Sequence, residues 1–441
     1  MNVSTHYQIR GKSGNQIAAS IEDAIRNGRI HAGARLPAIR ALAASLKVSP
    51  TTVAAAYQAL RVRGLLRGSG RRGTVVNRRP PLVTPTTPRL PAGVRNLMDG
   101  NPDPRLLPSL RDAIRKIECV APFYGAATNR DDLMGLARKD FERDGIRADA
   151  MTLVAGAMDG IERVLQAHLR PGDLVGVEDP SYRGTLDLIA AMGFIAEPIA
   201  IDQYGPTPEA MASALRAGIA AVIVTPRGQN PTGSTMDRKR ASTLHEIVGR
   251  KPDLLLIEDD FTGPISGVPA FTLSRNRERW AVVRSVSKAL GPDLRLALVA
   301  GDPATISRVE GRQRLGPRWI SNILQEAVAA LWSDAATRRL VRRAAETYTA
   351  RRDVLIAELG KHGIEAHGRS GLNIWVPVPE ETSVVQSLLN SGWAVMAGEP
   401  FRIKTPPGIR VMTATLEVEE APRLARDIAA AIRPRVGMHV V

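Results

Sequence analysis

Apolar residues recur at three- and four-residue spacing through the first sixty positions, and that spacing predicts three helices. Across residues 14–27, Ile17, Ile21, Ala24 and Ile25 line one face, and Gly28 is a natural stop. Residues 38–46 repeat the period with Ile39, Leu42, Ala43 and Leu46, after which Lys47-Val48 turns the chain. Ser49 suits an N-cap, and Pro50 fits the first helical position, where a missing N–H costs nothing. The third helix presents Val53, Ala56, Tyr57 and Leu60 on its inner face. Leu65-Leu66-Arg67 and Thr74-Val75-Val76 flank a glycine- and arginine-rich tip at 68–73, which predicts a two-stranded wing. Two helices across a tight turn, followed by a hairpin, have the spacing of a winged helix-turn-helix.

The pattern changes twice downstream. Residues 77–95 hold five prolines and no apolar period, as an extended connector would. Beyond it, short continuous apolar runs at 152–155, 174–178, 220–225, 254–258, 281–285 and 296–300 predict buried strands. Helical stretches at 160–169, 183–192 and 238–249 separate several of them. Such alternation points to an α/β body with a mainly parallel central sheet covered on both faces. Ligands of such sheets bind beyond the carboxyl ends of the strands.

Composition narrows the function classes. A chain of 441 residues exceeds one typical domain, and 44% hydrophobic with 24% charged residues excludes wholesale disorder. The apolar runs are too short to span a membrane, and the first residues lack a signal-peptide layout. Cys119 stands alone, so no internal disulfide forms; it is expected to pack as a small apolar residue in a reducing cytoplasm. A cysteine zinc cluster is excluded, and seven scattered histidines predict no metal site. Charge is uneven: residues 1–79 carry +12 of the net +16. A basic head on a near-neutral body is the footprint of nucleic-acid binding. Thr51 and Thr52 open the third helix and, with Ser49 and Arg40, are groove and phosphate candidates. Arg35, Arg71 and Arg72 complete the DNA-binding set, the wing arginines suiting phosphates or a narrow minor groove.

Chemistry gathers at the predicted strand ends. Gly156-Ala157-Met158 opens a helix after a strand, a weak phosphate signal when taken alone. Tyr182 follows the next strand; by itself it reads more readily as a core or surface tyrosine than as a ring at the site. Asn230 lies within Pro226-Arg227-Gly228-Gln229-Asn230-Pro231-Thr232-Gly233, held between glycines and prolines. The strand before Asp259 drives carboxylates to its end, where an acid beside a pyridine nitrogen keeps that nitrogen protonated, or where a solvated acid pair simply sits. Ser285-Val286-Ser287-Lys288, with Arg295 seven residues on, is the sharpest segment. One of only nine lysines there adjoins two hydroxyls and a forked cation, and a lysine amine beside an aldehyde forms a Schiff base.

These motifs carry resemblances. Residues 9–76, through Ala34-Arg35-Leu36-Pro37, Val48-Ser49-Pro50-Thr51-Thr52-Val53 and Gly64-Leu65, resemble the GntR-type winged helix, with Pro50 where that family usually has arginine. Residues 96–435 resemble fold-type I pyridoxal 5′-phosphate (PLP) enzymes of the class I/II aminotransferases. That likeness implies Lys288 as the Schiff-base lysine, Asp259 against the ring nitrogen, Asn230 at the ring hydroxyl oxygen and Tyr182 stacked on the ring. It further implies Ala157, Met158, Ser285, Ser287 and Arg295 around the phosphate, Arg410 on a ligand carboxylate, and Tyr124 reaching the phosphate across a dimer interface. Phe261 replaces a customary tyrosine and Asn373 a common histidine, departures that bear on turnover more than on binding. The fusion as a whole resembles the MocR family of transcriptional regulators, and residues 279–295 its branch associated with vitamin B6. The resemblance implies a winged-helix domain at 1–76, a linker at 77–95 and a PLP-binding domain at 96–441, its large part about 125–310 and its small part about 335–441. It also implies a head-to-tail, domain-swapped homodimer on operator DNA, with PLP or a related B6 vitamer or amine as effector. Little or no transaminase turnover is expected; a working aminotransferase carrying a DNA-binding domain is the alternative.

Overall fold

The computed structural model describes residues 9–26, 29–31, 33–62, 65–68, 73–76, 90–118 and 123–433. Two compact units result, one containing the first 88 residues and the other most of the remainder.

In the amino-terminal unit, α1 (Gly14–Arg26), α2 (Ile39–Leu46) and α3 (Pro50–Val62) form where the apolar spacing predicts them. Their inner faces bury Ile17, Ile21, Leu42, Val53, Tyr57 and Leu60 in one core. Each large side chain contributes about 1.5–3 kcal/mol on full burial, which is what holds so small a unit. Tyr57 satisfies its hydroxyl by donating to the Pro37 carbonyl at 2.8 Å. α2 stops at Lys47, whose φ of 53° lies in the left-handed region and turns the chain. The Ser49 hydroxyl accepts from the Thr52 N–H at 3.1 Å and caps α3, with Pro50 in the first position.

The wing is the antiparallel pair β1 (Leu66–Gly68) and β2 (Thr74–Val76). Residues 33–36 run along its other side, a feature the periodicity does not reveal. Gly33 and Leu36 donate to the Val76 and Thr74 carbonyls at 2.9 Å, and Arg35 bridges to Val75. Arg35 is therefore a wing residue, exposed like Arg40, Ser49 and Thr51, whereas Thr52 is half-buried. Arg71, Arg72, Cys119 and residues 77–89 of the connector lie outside the described residues.

In the larger unit the strands are β3 (Arg95–Asn96), β4 (Ala150–Val154), β5 (Leu174–Asp179), β6 (Ile195–Asp202), β7 (Gly205–Pro206) and β8 (Ala221–Val224). They continue as β9 (Leu255–Asp260), β10 (Trp280–Ser285), β11 (Ala297–Gly301), β12 (Asn373–Pro377), β13 (Trp393–Ala394), β14 (Met396–Ala397) and β15 (Gly408–Met412). The central sheet runs β4-β11-β10-β9-β8-β5-β6-β7. Strands β5, β8, β9 and β10 pair in parallel, and β8, β9 and β10 are buried throughout. β11 departs from that pattern, running antiparallel to both β10 and β4. The reason is the connection: only the helix Ser287–Leu290 and a short 3-10 turn join β10 to β11, too little for a parallel crossover. Lys288 thus sits on a turn pinned between two central strands.

The carboxyl-terminal part packs the long helix Ala335–Lys361 and the helix Ala421–Ile432 around the antiparallel sheet β12-β15-β14. Leu97, Leu355, Ile374, Val411 and Ile428 meet in its core. β3 pairs with β13, and Arg95 binds Glu420 at 2.7 Å, so Arg95, assigned to the connector by its proline content, belongs to the folded body. Among the described residues no helix is long and apolar enough to cross a membrane.

Candidate cofactor site and DNA interface

β4, β9 and β10 all end at the same edge of the sheet, because β11 is antiparallel to both of its neighbours. After β4, Gly156 (φ +99°) turns the chain into the helix Ala157–His168. A Cβ at position 156 would lie 2.8 Å from Arg295 Nη2, so only glycine fits that approach. Arg295 reaches back to donate to the Ala155 carbonyl at 3.4 Å, and Ala157 and Met158 open the helix that follows, where N–H groups have no partner within the helix. After β10, Ser285 and Ser287 are buried; the Ser285 hydroxyl accepts from the Ser287 N–H at 3.2 Å. Forked cation, helix terminus and hydroxyls make a receptor for an anion.

Lys288 donates from Nζ to the Gly100 carbonyl. Burial first, then the positive charges of Arg410 and Arg295, pull its amine down to about 8. Arg410, buried in the middle of β15, donates from Nη1 to Asn230 Oδ1 at 3.1 Å and from Nη2 to the Met98 carbonyl. Its guanidinium lies over the Phe401 ring at 4.8 Å, and burial draws its pKa down to about 10. Asp259 at the end of β9 is pushed up to about 7, by burial and then by the charges of Asp260 and Glu178.

Asp260, the next residue, takes the opposite course. Burial opposes its ionisation, but Arg227 and Arg284 outweigh that and hold it well below the ordinary carboxylate range. Arg284 Nε meets Asp260 at 2.7 Å, and its other nitrogens meet Asp140 and Asp144 at 2.6 Å. Arg227 binds Asp260 at 2.8 Å and Asp144 at 3.3 Å. Alternation along a strand explains the contrast: adjacent carboxylates leave opposite faces, one into this ion cluster and one without a cation.

Four buried atoms of the region lack any partner among the described residues: Asp259 Oδ1, Ser287 Oγ, Arg410 Nε and Asn373 Oδ1. Buried polar atoms are normally paired, so each of these four is open to a further partner. An acid wanting a cation, an amine whose pKa burial lowers to about 8, an anion receptor and a second buried guanidinium fit PLP and a carboxylate-bearing companion.

The remaining sequence-derived candidates are distributed unevenly. Tyr182 is half out in solvent with its ring over Gly184, where a Cβ would meet it at 2.5 Å. Tyr124 is 79% exposed; its described ring contacts are Trp319, edge-on at 5.5 Å, and the Arg318 guanidinium at 5.2 Å. Phe261 is half-buried, and Asn373 is fully buried. Sequence reasoning missed the Met98 and Gly100 carbonyls and the Asp260 cluster. The consecutive acids at 259 and 260 held a signal for the cluster; nothing in the residue types at 98 and 100 signals a carbonyl.

Comparison with known proteins agrees with this division. Residues 13–76 match the model for bacterial regulatory proteins of the gntR family, and residues 94–428 that for aminotransferase class I and II. The chain is 37% identical over 432 residues to the vitamin B6 salvage pathway transcriptional repressor PtsJ of Salmonella typhimurium, covering 96% of this chain and 99% of that one. It is 26% identical to the pyridoxine biosynthesis transcriptional regulator PdxR of Corynebacterium glutamicum, over 78% of each. In fold it is similar to the kynurenine aminotransferase of Pyrococcus horikoshii, with a TM-score of 0.71 and 23% identity, covering 78% of this chain and 92% of that one. The chain belongs to the family of gntR-type transcriptional regulators that carry an aminotransferase class I and II domain.

Proposed function

We propose that this protein binds PLP on Lys288 and adjusts its hold on operator DNA to the supply of that vitamer or a related amine. The observation that carries this reading is the joint presence, in one chain, of a basic winged helix and a buried constellation of a lysine with a lowered pKa, an unpaired acid and an anion receptor. The names of PtsJ and PdxR point the same way. Bound PLP supplies an aldehyde for an amine and an electron-withdrawing ring. Asp259 would face the ring nitrogen, Asn230 the ring hydroxyl oxygen and Tyr182 the ring face. The Ala157 and Met158 N–H groups, Ser285, Ser287 and Arg295 would hold the phosphate, with Tyr124 of the partner subunit completing the pocket. Arg410 would take the carboxylate of a second ligand. Residues 1–76 bind DNA, 77–94 connect, and two chains pair head-to-tail in the cytoplasm on paired half-sites. Phe261 offers no hydroxyl to the ring oxygen, which favours sensing over transamination.

The decisive experiment titrates promoter DNA from the adjacent genes with and without PLP. A shift in operator affinity supports the reading; superimposable curves overturn it. Any shift is bounded by the ligand's differential affinity for the two states. Steady amino-group transfer dependent on Lys288 would instead favour the aminotransferase alternative.

Two narrower outcomes follow. Arg40→Ala is expected to weaken operator binding and lower the salt slope by about 1, through one lost phosphate contact; an unchanged slope removes Arg40 from the interface. The second concerns pH. Lys288 attacks as the neutral amine, and its pKa near 8 instead of 10.5 raises that form from a trace to about a tenth of the population at pH 7. The rate of PLP attachment should therefore rise with pH and level off above about 8 to 9 in stopped-flow absorbance. A rate still climbing through about pH 10 would show that Lys288 behaves as a solvated amine.

A further inference from the structure

The segment that leaves the connector runs straight into the site. Leu97 donates to the Ala394 carbonyl at 2.8 Å beside β3, and Leu97 itself is buried in the carboxyl-terminal core. One residue later the Met98 carbonyl accepts from Arg410, and two further on the Gly100 carbonyl accepts from Lys288. By Asp103 the chain is anchored again: that carboxylate binds Arg351 at 3.0 Å and Arg105 at 2.8 Å, and the Asp103 N–H donates to the Tyr348 hydroxyl at 3.0 Å.

We infer that residues 97–101 form a strap that senses whether the site is filled, because its two central carbonyls are held by the very cations that ligands would claim. The inference rests on the PLP reading and deepens it by naming the element that responds. Lys288 rests mainly as the ammonium; once it has given one proton to solvent its amine would bond the aldehyde carbon, and its two remaining N–H hydrogens would leave with the aldehyde oxygen as water. The nitrogen is then committed to the new C=N bond, and the Gly100 carbonyl loses its donor. A ligand carboxylate on Arg410 takes the nitrogen that Met98 uses. Both carbonyls lose charge-assisted hydrogen bonds, which are among the stronger ones a backbone makes.

The strap has little else to hold it in place. Between its anchors, Met98, Asp99 and Gly100 are only half-buried, and a Cβ at Gly100 would touch nothing within 4 Å. The other described bonds of its centre are local: the Met98 N–H to Asn96 Oδ1 at 3.0 Å, and Asn96 Nδ2 to Asp99 at 2.7 Å. Released at its centre, the strap shifts toward solvent between its anchors at Leu97 and Asp103. Asp99 adds to the effect, since its negative charge couples to Arg410 and is rebalanced when a carboxylate binds there.

Amide hydrogen exchange on the full-length protein tests this. Without any ligand, Lys288→Ala and, separately, Arg410→Met should each quicken exchange at residues 97–101 by about tenfold or more, the equivalent of one lost charged hydrogen bond. Exchange in β4 should not change. PLP added to the wild type should produce the same quickening, and added to Lys288→Ala it should produce none. Borohydride trapping and peptide mapping of the same samples report attachment independently. Label on Lys288 with unchanged exchange in the strap overturns the inference and leaves the PLP reading standing. No label overturns the PLP reading, and the ligand-free variants then decide the strap by themselves. Equal exchange in wild type and both variants overturns it outright, and Lys288→Ala suffices should Arg410→Met fold poorly.

Discussion

Lys288→Ala is expected to abolish covalent uptake of PLP completely, while the variant still binds operator DNA and no longer responds to the vitamer. The expectation follows from the contrast among the nine lysines of the chain. Lys116 and Lys361 have side chains 65% and 67% exposed, so water stabilises their charged form. Lys288 is half-buried, held by the Gly100 carbonyl and crowded by Arg410 and Arg295, conditions that favour the neutral, nucleophilic amine. An anion receptor at the same sheet edge would hold the aldehyde near it, and that proximity supplies most of the rate advantage over exposed amines. Borohydride reduction followed by peptide mass mapping should place the wild-type label on the Lys288 peptide and find none in the variant. Label spread over exposed lysines, and equal in both proteins, would remove the central support for the proposed function.

Arg284→Met is expected to destabilise the larger unit by about 3–5 kcal/mol, the cost of leaving buried charges without their partner. Arg284 is 2% exposed, meets three aspartates and lies 4.7 Å from the centroid of Phe141. Methionine fills much of the volume but supplies no donor, and Arg227 alone must then balance Asp260 and Asp144. Urea or thermal unfolding at neutral pH measures the loss. The pH dependence has a definite sign. Asp260 titrates below its ordinary value in the folded protein, so its stabilising contribution is present above the ordinary carboxylate range and is lost as pH falls through the folded value. The gap between wild type and variant should therefore narrow on acidification below about pH 4. A gap that stays constant, or a loss below about 1 kcal/mol, would show the cluster to be weakly coupled to folding.

Much of the architecture was readable before any coordinates, for reasons that are local. The three helices of the head follow from a 3.6-residue period with a cap at Ser49 and a stop at Lys47, and the buried strands from continuous apolar runs. Lys288 stood out because a strand end and a rare residue type coincide in the linear order, whereas Asp259 was singled out among its neighbouring acids only by the family resemblance. The strand direction of β11 was not readable, since it depends on how little chain lies between two paired strands. Nor was the role of Arg35, which follows from residues 33–36 lying along a hairpin about forty positions away.

What the sequence determined by itself is the division into a basic winged helix and an aminotransferase-like body, and it singled out Lys288 as the candidate for the Schiff base. Periodicity, charge distribution and motif spacing are properties of neighbours along the chain. What only the tertiary structure decided is the company each charge keeps. Met98 and Arg410 are 312 residues apart, Gly100 and Lys288 188, yet each pair shares a hydrogen bond. Asp259 and Asp260 are adjacent and of one residue type, yet one stands unpaired and the other sits between two arginines. A backbone carbonyl has no signature in the residue code, and the field at a carboxylate is set by groups that folding brings from elsewhere.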